Sequence, residues 1–445
     1  MPEPAKQKQE PELTGALEQL LLQEPASRQY LSIEEFLHRH GALAYGGEQE
    51  LEAKPASAHT HRMHVRHLDV NGDRREMEAV DVARHYLFPE PADLRGQCIG
   101  LLELGGGFHE SDVETYWKAC HLPRPDLSIV TGRNRPAPSD AIADYIAGKS
   151  EDAQARWTVE VTLDIQLASA FAPGARLAVY FAPDSDEGQY QALLAALTDT
   201  VNRPSVISIS FGGPEHTVSE KWSRRINRLL QAAALMGVTV CAASGDLTFS
   251  NETKDYIPPG HNPKTVSFPG SSPYVLSCGG SHLPLDERES VWYEPFRGFQ
   301  CSTVGGVSSL WEEPKWQSGA GIRDKVGGLT GRGVPDVAGK ADLAGGYRLF
   351  AGGKDISMGG TSASAPMWAA LIANLNAQLK TRLGLVTPLF YSDVLGGSTH
   401  QIHHGTNGVW EAGPGWNPCT GLGSPKGTHL LKALQEVYPQ ALRAG

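Results

Sequence analysis

Cys98-Ile-Gly-Leu-Leu-Glu103-Leu-Gly-Gly-Gly107 is the stretch that decides the fold class. A short apolar run ends on an acid and meets three glycines. A continuously apolar run of this length is read as a strand buried on both faces, and the glycines as a tight turn after it. Similar runs recur: Leu177-Ala-Val-Tyr-Phe181, Val206-Ile-Ser-Ile-Ser210, Val238-Thr-Val-Cys-Ala-Ala243 and Tyr274-Val-Leu-Ser-Cys278. Helical stretches, among them Gln189–Leu197 and Trp222–Leu235, lie between them. Strands alternating with helices predict an α/β protein with a buried, mainly parallel sheet. Ligands in such sheets bind beyond the carboxyl ends of the strands, where Glu103 sits. No internal repeat is visible.

At 445 residues, with 40% hydrophobic and 20% charged residues, the chain is ordinary for a globular protein. It is long enough to bury a core without staples. A formal charge of −11 argues against nucleic acid as a partner. The six cysteines, Cys98, Cys120, Cys241, Cys278, Cys301 and Cys419, are scattered and form no C-x-x-C pair, so neither a zinc site nor a dense disulfide framework is expected. Cys98 and Cys241 lie in strand-like runs and read as free buried thiols.

Residues 1–12 are charged and proline-rich and read as disordered. Two short helical patterns follow, Leu13 to Leu22 and the run from Ser32, which opens with a capping box of Ser32 and Glu35. Residues 43–75 read as a polar linker or loose arm. No apolar signal-like segment and no run of about 20 apolar residues appears, so no membrane partner is expected and a cytoplasmic or non-classically exported location is.

A second stretch carries chemistry: Gly359-Gly360-Thr361-Ser362-Ala-Ser-Ala-Pro366, followed by the apolar helical run from Met367. Two glycines allow a sharp turn, and a helix start offers free N–H groups and a positive dipole end. Ser362 is therefore placed as a nucleophile and needs a base. His404-Gly405-Thr406 resembles the histidine motif of subtilisins but follows the serine, whereas the subtilisin order is Asp, His, Ser. It reads as a solvated loop histidine.

Carboxylates are better placed. Glu160 and Asp164 lie four residues apart among Val159, Val161, Leu163, Ile165 and Leu167. On a helix they would share a face, about 5–6 Å apart at Cβ. On a strand they would share a face equally. An exposed acidic helix face is the plain alternative. If buried, two like charges would resist ionising together and titrate as a pair, giving a base that works at low pH. Glu103 and Asp246 each end a strand beside glycine, and each could instead be a turn or cap acid.

With these pieces assembled, the chain resembles the sedolisins, the serine-carboxyl peptidases, and within them the kumamolisin branch. The matching stretches run in order from about Asp81 to Leu434. They include Gln97–Phe108, the Glu160/Asp164 segment, Ala172–Pro183, Ser208–Glu215, Ala242–Asp246, Phe268–Leu276, Arg332–Gly339, Gly360–Ser362 and Gly413–Pro425. The resemblance implies a subtilisin-like three-layer α/β fold with a mainly parallel central sheet. Residues 77–440 would form the catalytic domain, after a short N-terminal segment, 1–76, holding a prodomain remnant and linker. It also implies Ser362 as nucleophile, Glu160 as general base, Asp164 as its support, Asp246 as the oxyanion-hole acid and Glu103 as an outer carboxylate. The expected activity is endopeptidase cleavage of a peptide or protein substrate by a monomer, favoured at acidic pH. A tripeptidyl-peptidase or a pseudopeptidase that only binds peptides are the alternatives.

Three departures from the family stand out. Family members carry a large prodomain, of which Pro25–Phe36 resembles a fragment. The family calcium site uses two aspartates plus backbone carbonyls. Its positions here match Gln401 and Asn417, with Ile402, Gly413 and Gly415 at the carbonyl positions, so calcium is not expected as a cofactor. A tryptophan of the outer hydrogen-bond chain is Phe211, which has no N–H to give Glu103.

Overall fold

The structure, a computed structural model, describes residues 11–45, 65–67, 76–90, 93–131, 136–250, 264–284, 288–296 and 299–439. The sheet forms where the sequence is apolar on both faces. Its strands are β1 (Cys98–Glu103), β2 (Asp126–Thr131), β3 (Arg176–Phe181), β4 (Val206–Ile209), β5 (Thr239–Ala243), β6 (Leu276–His282), β7 (Ser290–Val291) and β8 (Val337–Lys340). Every residue of β1, β4 and β5 is buried. The spatial order is β7-β6-β5-β4-β1-β3-β2, with β8 also paired to β6. All pairs are parallel except β6 with β7.

The chain runs outward from β1 to β2 and β3 on one side, then returns across β1 to β4 and continues to the other side. The boundary between β1 and β4 is thus a topological switch point, where crevices open beyond strand carboxyl ends. Glu103 ends β1, and Ser210 follows the last residue of β4.

Helices cover both faces. They are α1 (Pro11–Leu21), α2 (Ile33–Tyr45), α3 (Ala153–Phe171), α4 (Asp186–Thr198), α5 (Glu220–Leu235) and α6 (Thr361–Leu379). Helices α3 and α6 pack together in one core, while α4 and α5 build the other. Each of three helices opens on a side-chain cap: Asp152 accepts from the Ala155 N–H at 2.5 Å, Ser185 from Gly188 at 3.0 Å and Ser219 from Trp222 at 3.2 Å.

The N-terminal helices dock on the α5 side. The capping box forms as the sequence predicts: Ser32 N–H donates to Glu35 Oε2 at 2.9 Å and Glu35 N–H to Ser32 Oγ at 3.1 Å. Leu13, Leu17 and Phe36 are buried in the second core. The Tyr30 hydroxyl donates to Leu383 O at 2.8 Å, and its ring lies against Gly237 and Gly384. Gly237 precedes β5, so this anchor lies at the amino ends of the strands, opposite the end that carries Glu103.

Some boundaries differ from the sequence reading. Residues 43–45 extend α2, and Val65–His67 form a strand antiparallel to Lys354–Met358, because a free sheet edge was available there. Of residues 1–12, expected to be disordered, Pro11 and Glu12 instead form the first turn of α1, while residues 1–10 and the remaining linker positions fall outside the described residues. All six cysteines are free, and Cys98 and Cys241 are buried. Among the described residues, no helix is long and apolar enough to cross a membrane.

Candidate active site

Helix α3 resolves the open choice at Glu160 and Asp164. It is a helix, and nearly every residue from Ala155 to Phe171 is buried, so the acids do not lie on a solvated face. Glu160 is 3% exposed and Asp164 fully buried. Asp164 accepts the Ser210 hydroxyl, at 2.9 Å to Oδ1 and 2.8 Å to Oδ2. Neither oxygen of Glu160 or Glu103 has a hydrogen-bond partner in good geometry, although all four are buried.

That arrangement pushes the acids toward their neutral forms. Burial, then the Asp164 charge, raises Glu160 well above the ordinary carboxylate range, while the nearby Ser362 hydroxyl and Arg156 pull the other way. Burial, then Asp164 and Glu160, raises Glu103 well above that range. Asp164 is lifted by burial to about 8, with Ser210 and Glu103 opposing. The three acids titrate as one system sharing protons.

Ser362 is the second residue of α6 and is 3% exposed. Its Oγ donates to Ser210 O at 3.1 Å and faces Glu160. Hydrogen bonds between nucleophile and base are often loose before substrate binds. Gly360, before the helix, has φ +97°, and a Cβ there would lie 2.8 Å from Asp246 Oδ2. Only glycine fits this turn. The turn aims the Thr361 N–H at Asp246 Oδ1, 2.9 Å away, with the Thr361 hydroxyl at 2.8 Å. Burial raises Asp246 to about 6 against those two bonds.

Pro366 lies inside α6 and lacks the N–H that would bond the carbonyl of Ser362 four residues earlier. The Ser210 hydroxyl lies 3.3 Å from that carbonyl oxygen. Ser210 therefore touches Asp164 through its hydroxyl and Ser362 through both its hydroxyl and its carbonyl. The sequence reading gave it no role. The available signal was its place at the end of a buried strand, where Glu103 had been singled out.

All five candidate residues, Ser362, Glu160, Asp164, Asp246 and Glu103, meet at one end of the sheet. His404 lies elsewhere, exposed beside Arg288 at 3.1 Å. Phe211 is buried edge-on to Trp157, with ring centroids 6.2 Å apart. It supplies no donor to Glu103, in keeping with that residue's lack of a hydrogen-bond partner. Gln401, Ile402, Gly413, Gly415 and Asn417 cluster in a separate loop without a carboxylate among them. Among the described residues, no group of three or more His, Cys, Asp or Glu side chains is arranged to hold a metal ion.

A buried serine at a helix start, faced by a carboxyl and flanked by a second acid that can carry a proton, is the arrangement of a hydrolase that forms a covalent intermediate. The chain belongs to the subtilase family, whose model matches residues 141–389. Kumamolisin of Bacillus sp. strain MN-32 is 40% identical over 377 residues, covering 81% of this chain and 64% of that protein. Tripeptidyl-peptidase 1 of Macaca fascicularis is 28% identical over 314 residues, covering 64% of this chain and 53% of that protein. Pseudomonas sedolisin, a serine-carboxyl proteinase solved with two molecules of pseudo-iodotyrostatin, superposes with a TM-score of 0.68 at 25% identity, covering 82% of this chain and 99% of that one. The chain thus spans about half to two thirds of the length of these curated relatives.

Proposed function

We propose that this protein is a serine-carboxyl endopeptidase acting on peptides or proteins, with Ser362 as nucleophile. The observation that carries the reading is the placement of Ser362 Oγ between the buried Glu160 carboxyl, which it faces, and the Asp246 turn. When the shared protons of the three acids sit on Asp164 and Glu103, Glu160 is ionised and takes the Ser362 proton as Oγ attacks the scissile carbonyl carbon. Asp164, held by Ser210, shares the proton load with Glu160 and Glu103 and keeps Glu160 basic enough to accept.

The carbonyl oxygen becomes an oxyanion, and Asp246 in its protonated form donates to it. Asp246 Oδ1 is occupied by Thr361, which leaves Oδ2 to carry the proton. Collapse of the intermediate breaks the C–N bond, and Glu160 passes its proton to the leaving amine. Water then attacks the ester on Ser362 with Glu160 again as base. An acid lifted to about 6 is protonated on the acid side of neutrality, which supports acid-side activity. The likeness to Pseudomonas sedolisin, described as a serine-carboxyl proteinase, supports peptide-bond cleavage.

The test uses an internally quenched peptide with a blocked amino terminus at mildly acidic pH. Cleavage is expected for the wild type and a loss of about 10⁶ in kcat for Ser362→Ala, with a comparable loss for Glu160→Gln. Cleavage that survives Ser362→Ala would reject the mechanism. Cleavage only of free amino termini would favour the tripeptidyl-peptidase reading.

A further inference from the structure

We propose that the Asn417 side chain takes the place of a divalent cation, so that the loop from His400 to Gly423 folds without calcium and does not bind it. The inference stands apart from the catalytic reading. It rests on the chemistry of the donors around Asn417. Calcium seeks six to eight oxygen ligands at about 2.3–2.6 Å, several of them anionic. The positions that hold carboxylates in the family are Gln401 and Asn417, both neutral.

The structure gives these amides another task. Asn417 is 1% exposed. Its Nδ2 faces three carbonyl oxygens, which share its two N–H groups: Ile402 O at 3.2 Å, Gly413 O at 3.4 Å and Gly421 O at 3.4 Å. Ile402 and Gly413 are two of the three carbonyl positions of the family site, so an N–H group now occupies the point on which these oxygens converge. The orientation is fixed from the other end. Asn417 Oδ1 accepts the Cys419 N–H and the Thr420 N–H, each at 3.0 Å, and the Thr420 hydroxyl at 3.2 Å. Backbone N–H groups only donate, so a flipped amide would face donors with donors.

Two neighbours complete the replacement. Gln401 Oε1 accepts the Gly415 N–H at 3.3 Å, so the side chain at the first carboxylate position is spent on a backbone donor. Lys325 Nζ donates to Pro414 O at 3.0 Å. An ammonium already on the loop repels a divalent cation beside it. The buried carboxylate of Asp336, whose backbone carbonyl accepts the Leu422 N–H, is taken by Arg332 at 2.5 Å, Tyr391 at 2.8 Å and the Ser277 N–H at 2.8 Å. What a metal supplies to such a loop, a positive centre that gathers carbonyls, is supplied here by the Asn417 NH2 group and the Lys325 ammonium.

The loop's stability matters to the site. Leu422 N–H donates to Asp336 O at 2.8 Å, and Ala338 N–H of β8 donates to Gly423 O at 2.9 Å. Strand β8 leads into Ala341, whose carbonyl accepts the Gly360 N–H at 2.7 Å.

The experiment measures thermal unfolding of the full chain and of its Ser362→Ala form, which removes self-cleavage, in chelator and then in millimolar calcium, with titration calorimetry alongside. The expected result is the same Tm in both conditions and no binding heat. A rise in Tm with calcium that chelator reverses, or saturable binding heat, overturns the proposal. The variant Asn417→Asp, measured in chelator, removes the donors and faces three carbonyls with an anion. It is expected to lose several degrees in Tm or fail to fold, whereas an unchanged Tm in chelator would also overturn the proposal.

Discussion

Asp246 and Asp342 flank the same turn, Gly359–Gly360, and their environments drive them in opposite directions. Among the described residues, Thr361 is the hydrogen-bond partner of Asp246, and burial lifts the acid to about 6. Asp342 is more deeply buried, and burial alone would raise it too. Lys340, its ammonium 2.7 Å from Oδ1, and His282, 3.4 Å from Oδ2, hold it down to about 2 instead. One aspartate is left able to carry a proton, and the other is locked as an anion. The same division runs through the molecule. Glu160 and Glu103 accept no hydrogen bond in good geometry and lie against another acid of the site, whereas buried Glu289 accepts hydroxyls from Tyr86, Ser281 and Ser424 at 2.5–2.7 Å. Buried acids whose demands are met hold the fold, and those left unmet mark where chemistry is placed.

The comparison breaks most readily at Lys340. Lys340→Met leaves the Asp342 anion buried without its ammonium, and a loss of about 3–5 kcal/mol in unfolding free energy is expected by urea titration. Activity per folded molecule should change less than for any acid of the site. If stability held and turnover vanished, Asp342 would belong with the reactive set. Asp246→Ala tests the other side. It should lower kcat by about 10²–10³ with a folded protein, the cost of one oxyanion donor.

A smaller effect is read from stability against pH. Asp164 is raised in the fold from the ordinary 3.8 to about 8. Its contribution is fully present below about 3.8 and is lost as pH rises through about 8. Asp342, depressed to about 2, runs the opposite way, and its contribution is lost only as pH falls below 3.8 toward 2. Tm should therefore rise as pH falls from 8 toward 4, and Asp164→Asn should flatten that slope. A slope unchanged in the variant would mean that Asp164 does not carry this titration.

Much of the fold was legible because strands such as Cys98–Glu103 and Thr239–Ala243 are apolar on both faces, a pattern few elements share. The helix holding Glu160 and Asp164 was less legible. Its β-branched residues suit a strand as well, and only packing against α6 decides for the helix. Burial of the acids was likewise invisible, because a sequence does not say which face another helix will cover. Ser210 escaped notice because its role depends on two distant events, the placement of Asp164 and the N–H missing at Pro366. The docking of Tyr30 at the far end of the sheet was not legible either, since Gly237 and Gly384 come together only in the fold.

The most direct test of the central claim, that carboxyl groups and not a histidine drive Ser362, is the pH dependence of kcat/KM on a quenched peptide. The account predicts a maximum on the acid side and a decline as pH rises through about 6, where Asp246 loses its proton. Activity that instead climbs through pH 7 and stays high toward pH 9 would contradict it.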